Sequence, residues 1–169
     1  MFRVAILTVS DRSAEGTRQD ESSAVIREMV TAGLDANIVA YRVVPDERPA
    51  IEAALRGWAD RREVDLVLTT GGTGLAPRDV TPEATRAVVE REVPGIPEAM
   101  RAASLAKTPF AMLSRMVAGT RGQTLIVNLP GSPKAVRENL AVVLPALPHA
   151  LDKLLGDPND CVPAPPAAA

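Results

Sequence analysis

Short apolar runs alternate with longer segments of helical periodicity along this chain. Arg3–Val9 (RVAILTV), Asn37–Val44 (NIVAYRVV), Asp65–Thr70 (DLVLTT) and Gln123–Pro130 (QTLIVNLP) have the length and β-branched content of buried strands. Between them, Val25, Ile26, Met29 and Val30 make one helical face, with Asp20 or Ser22 as N-cap and Gly33 as its stop. Ile51, Ala54, Leu55 and Trp58 make a second face, in a helix that Pro49 permits to start. Thr81 is the expected N-cap of a third helix, with Pro82 at its first position and Glu83 facing the helix dipole. Pro94 ends that helix, and another begins near Pro97. Thr108–Gly122 fits no single period. Ser132 and Pro133 repeat the cap-and-proline device ahead of Val136, Leu140, Val143 and Leu144, and then Leu147, Leu151, Leu154 and Leu155.

Strand–helix alternation predicts an α/β fold with a mostly parallel sheet covered on both faces. A chain of 169 residues suits one domain with one sizeable core, here expected over residues 1–156. The Pro/Ala-rich tail, residues 157–169, carries almost no core residues and is expected to be disordered. In such sheets, ligands bind beyond the carboxyl ends of the strands. That rule selects four loops: Ser10–Asp11–Arg12, Pro45–Asp46–Glu47, the glycine loop after Thr70, and Asn128–Ser132. They meet only if the strand order brings those ends together.

Composition narrows the function. With 46% hydrophobic and 24% charged residues, the chain resembles ordinary soluble globular proteins. The net charge is −2 and no Lys/Arg block stands out, which argues against nucleic acid as a partner. No apolar run approaches the roughly 20 residues needed to span a bilayer. The N-terminus has no signal-peptide pattern, so a cytoplasmic protein is expected. One cysteine, Cys161, and one histidine, His149, cannot build a zinc site of the usual kind. Any metal is expected to be a hard cation on oxygen ligands.

Gly71–Gly72–Thr73–Gly74 permits positive φ angles and an anion-binding nest of backbone N–H groups, or is simply a tight turn between strand and helix. No Lys–Ser/Thr pair follows, so it is no P-loop, nor is it a dinucleotide fingerprint. Asp79 and Asp46 are each a turn residue or, together, a pair of carboxylates able to share one Mg²⁺ with substrate phosphates. Arg78 pairs with phosphate or faces solvent. Ser10 and Asp11 bind a ligand or open the following turn. Asn128 binds a ligand or ties two loops together. Ser132 presents its N–H to an anion or merely caps a helix.

TTGGTG (69–74), RDVTPEAT (78–85) and NLPGSPKAV (128–136), with SDR (10–12), PDE (45–47) and MLSR (112–115), resemble the MoaB/Mog family of molybdenum-cofactor biosynthesis. The likeness is greatest to its molybdopterin adenylyltransferases and runs from the first strand to about Leu155. It implies a three-layer α/β/α sandwich, commonly trimeric. It implies transfer of AMP from MgATP to the terminal phosphate of molybdopterin, and delivery of the product to a separate molybdate-insertion protein. The family's paired reaction-centre aspartates map onto Asp46 and Asp79. Its nucleotide and pterin contacts map onto Ser10, Asp11, Gly71, Gly72, Thr73, Gly74, Asn128, Pro130, Gly131 and Ser132, with Ser114 near the pterin. The region after the NLPG loop is shorter than in some adenylyltransferases. The alternative is therefore a MoaB-like molybdopterin-binding protein with little or no transferase activity.

Overall fold

A computed structural model describes residues 1–159. Six strands form one sheet in the order β2-β1-β3-β6-β5-β4. They are β1 (Phe2–Val9), β2 (Ala36–Val44), β3 (Leu66–Thr70), β4 (Arg91–Glu92), β5 (Ala118–Arg121) and β6 (Thr124–Leu129). The first three and β6 run parallel, while β5 and β4 add an antiparallel edge. The helices are α1 (Asp11–Ala14), α2 (Glu21–Gly33), α3 (Arg48–Asp60), α4 (Thr81–Val88), α5 (Gly95–Leu105), α6 (Pro133–Val143) and α7 (Leu147–Leu155).

Side-chain alternation along the buried strands explains the three layers. Val4 and Ile6 of β1, Leu66 and Leu68 of β3, and Leu125 and Val127 of β6 pack with α2, α5, α6 and α7 on one face. Ala5, Leu7, Val67 and Ile126 pack with α3 and α4 on the other. The helix after β1 therefore leaves by one face, and the helix after β3, its neighbour in the sheet, leaves by the other. A crevice opens between the carboxyl ends of these two strands.

Local chemistry departs from the sequence reading at several points. The N-cap of α4 is Val80, which offers no side-chain bond. Thr81 instead donates its hydroxyl to the Gly71 carbonyl at 2.9 Å, tying the helix start to the glycine loop. α4 stops at Val88, well before Pro94, because the chain turns into β4. Gly33 closes α2 through packing and not through a left-handed cap: a Cβ there would sit 2.4 Å from Leu144 Cδ2. The ambiguous stretch resolves into a 3₁₀ turn, Pro109–Leu113, followed by β5. The Asp20 and Ser132 caps are as expected, accepting from Ser23 N and Ala135 N. Residues 160–169, most of the expected tail, lie outside the described residues.

Asn128 sits in β6 with no exposed surface. Its Nδ2 donates to Thr69 Oγ1 at 3.0 Å and Thr85 Oγ1 at 2.9 Å, and its Oδ1 accepts from Val117 N at 3.2 Å. Three elements and the approach to β5 thus share one amide. Leucine at this position fills similar volume but orphans the Val117 N–H and both hydroxyls. Asn128→Leu is expected to lower stability by about 1–3 kcal/mol, read as a lower urea midpoint at unchanged m-value; an unchanged midpoint contradicts the network's role.

Candidate active site

The crevice holds a cleft of about 460 Å³. Its walls are Thr8–Ser13 at and beyond the end of β1, Asp46 after β2, Thr70–Gly72 and Asp79 at and beyond the end of β3, and Gly131–Pro133 after β6, with Arg18–Ser22 closing one side. Strand order has brought all four candidate loops together. Each is bonded to its neighbour. The Ser10 N–H donates to Val44 O at 3.0 Å. Thr70 Oγ1 donates to Pro130 O at 2.7 Å, and Ser22 Oγ to Gly131 O at 2.9 Å.

Gly71 and Gly72 take φ angles of 97° and 64°. A Cβ on Gly71 would lie 2.2 Å from Val9 O, and one on Gly72 would lie 2.4 Å from Thr81 Oγ1 and 3.1 Å from Asp46 Oδ1. Glycine is therefore required twice, for conformation and for space. Gly74 is required for space alone, since its Cβ would press within 2.8 Å of Asp79 Oδ2.

Asp11 and Asp46 exchange hydrogen bonds: Asp11 N donates to Asp46 Oδ2 at 2.8 Å, and Asp46 N donates to Asp11 Oδ1 at 2.9 Å. This clasp locks the ends of β1 and β2 together. Asp79 Oδ2 accepts from Ala76 N at 2.8 Å. Among the described residues, Asp46 Oδ1 and Asp79 Oδ1 accept no hydrogen bond. Burial raises the Asp46 carboxyl above the ordinary range, and the nearby charges of Asp11 and Asp79 push it the same way. The Arg78 guanidinium holds Asp11 below that range, aided by the Asp46 N–H. Burial also pushes Asp20 upward, but hydrogen bonds from Thr8, Tyr41 and Ser23 outweigh it and leave that carboxyl low.

Of the residues singled out from sequence, Ser10, Asp11, Asp46, Gly71, Gly72, Asp79, Gly131 and Ser132 line the cleft. Ser10 and Ser132 also cap helices, accepting from Ser13 N and Ala135 N. Arg78 is exposed and already paired with a carboxylate. Its Nε and Nη2 grip Asp11 at 2.6 and 2.8 Å, because the acidic cluster is its nearest counter-charge. Asn128 is sealed beneath α4 and reaches no ligand. Thr73 is buried and Gly74 lies behind the wall, their carbonyls both taken by Arg115. Pro130 and Ser114 border a second cavity of about 200 Å³, beside Met116 and Phe110. Arg12, in the first candidate loop, lines the cleft as well, and Arg18 and Asp20 do so unanticipated as site residues; the capping position of Asp20 was the one signal for these two in the sequence. His149 is exposed and away from the cleft.

Two acidic groups with free oxygens, set at the switch point of a doubly covered sheet, define the class: an α/β protein with a carboxylate-lined cleft beside a glycine nest. A family model described as a probable molybdopterin binding domain matches residues 5–149, and the chain belongs to that family. Gephyrin of Dictyostelium discoideum is 46% identical over 169 residues, covering 95% of this chain but 23% of its own. The molybdopterin adenylyltransferase of Helicobacter pylori is 45% identical over 157 residues, 92% of this chain and 89% of its own. The crystal structure of the molybdopterin biosynthesis enzyme MoaB from Thermus thermophilus matches with a TM-score of 0.88 at 60% identity, over 94% of this chain and 99% of that one.

The raised Asp46 carboxyl sets a sign. The folded state holds that proton more readily than the unfolded chain, so ionising Asp46 costs stability as pH rises from the ordinary carboxylate range through the raised value. The cost is complete above that window and absent below it. Asp46→Asn keeps an acceptor for the Asp11 N–H and removes the charge. It is expected to melt a few degrees above wild type at pH 7, with the gain vanishing below the ordinary carboxylate range. Equal melting temperatures across that pH series contradict the crowding.

Proposed function

We propose that this protein is a molybdopterin adenylyltransferase, moving AMP from MgATP to the terminal phosphate of molybdopterin. The observation that carries the reading is the pair Asp46 and Asp79, each with a free oxygen, facing one cleft with the Gly71–Gly72 nest. Its support from relatives is the 45% identity to the Helicobacter pylori enzyme over most of both chains.

In this reading a phosphate oxygen of molybdopterin attacks the α-phosphorus of ATP. The bond from that phosphorus to the bridging oxygen breaks, and pyrophosphate leaves. The chain has little covalent work to do, because such displacements depend on alignment and charge neutralisation. Among the described residues the Gly72 backbone N–H has no partner and is the donor this turn offers a phosphate oxygen, while the Gly71 N–H is held by Leu129 O at 3.4 Å. Arg12 and Arg18 offer positive charge along the same cleft. The donor set fits Mg²⁺: hard carboxylate oxygens, and mutual repulsion at Asp46 that a cation relieves. Asp46 and Asp79 would hold the ion, which supplies charge neutralisation at the reacting phosphates. Asp11 is already neutralised by Arg78 and keeps Asp46 in place.

The proposal extends to the setting. Residues 1–156 form the working unit, assembled as a homotrimer in the cytoplasm. The adenylylated pterin is passed to a separate molybdate-insertion protein. A second reading, a MoaB-like binder with little or no transfer, is favoured by the 60% identity to the Thermus thermophilus MoaB structure.

Incubating the protein with molybdopterin and MgATP should yield adenylylated pterin by mass spectrometry. Asp79→Ala should reduce that yield by a factor of order 10² or more while the far-UV spectrum stays unchanged. Pterin binding without product from wild type overturns transfer in favour of the binder, and full activity in Asp79→Ala removes that carboxylate from the chemistry.

A further inference from the structure

Arg115 follows the 3₁₀ turn and precedes β5, outside every motif loop that lines the cleft. Its backbone N–H donates to Thr73 O at 2.9 Å. Its Nε donates to Gly74 O at 2.8 Å, its Nη2 to Asp79 O at 2.5 Å, and its Nη1 to the Glu83 carboxylate. One residue thus binds both ends of the Gly74–Asp79 loop and the first turn of the helix behind it. The loop has few other ties. Asp79 N donates to Ala76 O and Ala76 N to the Asp79 carboxylate, both within the loop itself. Thr81 bonds Gly71 and Gly72 at its base. Among the described residues, only Arg115 holds the carbonyls of Gly74 and Asp79 from outside. Arg115 is itself braced, because Arg101 Nη1 donates to the carbonyls of its two neighbours, Ser114 at 3.4 Å and Met116 at 3.2 Å.

We propose that Arg115 is a positioning residue for the transfer reaction, fixing the Gly74–Asp79 loop so that the Asp79 carboxylate stays turned into the cleft. The proposal rests on the transferase reading. A planar guanidinium is needed, because three donors must leave one side chain in fixed directions; a lysine ammonium is a mobile point charge on a flexible stem. Arg115 touches no reacting atom. Its loss leaves the nest, the Asp11–Asp46 clasp and the cleft walls from the other loops intact. The effect therefore falls on alignment and not on substrate affinity.

Wild type, Arg115→Ala, Arg115→Lys and Glu83→Gln are assayed for kcat, KM for ATP and half-saturating Mg²⁺, alongside thermal melts. Misplacing a reacting group by about 1 Å can cost 10²-fold, so Arg115→Ala is expected to lose about that factor in kcat with KM for ATP within about threefold of wild type. Half-saturating Mg²⁺ should rise in the same variant, since Asp79 is one of the two proposed ligands. Arg115→Lys should recover only a minor part of the loss. Glu83→Gln leaves the three main-chain contacts and should stay within about fivefold of wild-type kcat. Wild-type kcat in Arg115→Ala, or a raised KM at unchanged kcat, overturns the proposal. If the alanine variant does not fold, Arg115→Lys decides: folded with wild-type kcat, it overturns the proposal as well. Absence of product from wild type overturns the transferase reading and this proposal with it, whereas an active wild type with indifferent Arg115 variants overturns the positioning role alone.

Discussion

Adjacent strands β1 and β3 send their following helices to opposite faces of the sheet, and the functional architecture depends on that divergence. With both helices on one face, the space above the strand ends would fill with side chains. Here it remains open, and the loops after β1, β2, β3 and β6 border it. The divergence comes from elementary patterning. Alternate residues of each buried strand feed two apolar clusters, and each cluster recruits its own helices. The sheet is the ruler of the site, because loop positions are inherited from strands that cannot slip without exposing one of those clusters.

Charge is the second constraint. Asp11, Asp46 and Asp79 approach one cleft, and like charges in a half-buried space repel. The structure distributes the cost unevenly. Asp11 receives the bidentate Arg78 and a backbone N–H, and ionises readily. Asp46 has one N–H and no side-chain cation of its own, and resists ionisation. Such imbalance is unfavourable for a static protein, where a neutral residue would serve better. It suits the proposed function, in which a cation arriving with the nucleotide supplies the missing counter-charge. Natural sites commonly trade stability for function in this way.

Much of this was legible in the sequence, for identifiable reasons. β1, β3 and β6 stand out because strands buried on both faces are continuous apolar runs. The loops follow from the rule that ligands sit beyond strand carboxyl ends, and the glycine cluster marks a turn needing positive φ. β4 and β5 were not legible, since a two-residue and a four-residue edge strand carry too few positions for a period. Thr81 looks like a cap by composition, but a tertiary partner, the Gly71 carbonyl, claimed its hydroxyl. Arg78 and Asn128 show the same limit. A polar residue in a motif loop reads as a ligand contact until its intramolecular partners are known, and those lie at separations of 67 and 43 residues. Arg115 appeared only as the last residue of the MLSR motif and its role was not legible, because that role consists of bonds to carbonyl groups, which every residue has.

The two free carboxylate oxygens are held by unlike means, and the difference follows from topology. Asp46 belongs to the β2 side of the crevice and is fixed by a clasp between neighbouring strand ends. Asp79 belongs to the β3 side, at the far end of an irregular loop fixed by glycines that admit it and a guanidinium that grips it. Two pairings separate these acids: β1–β3 runs in unbroken register from Val4–Leu66 to Thr8–Thr70, and β1–β2 shifts once, between Val4 and Ala5, and then runs regularly to Val9–Val44 at the cleft end. Only the β3 side needs an external brace, since only there does the chain run several residues beyond the sheet before presenting its acid. Two acids held by separate means, one by the sheet and one by a braced loop, suit the proposed transfer, in which alignment of the reacting phosphates carries most of the rate.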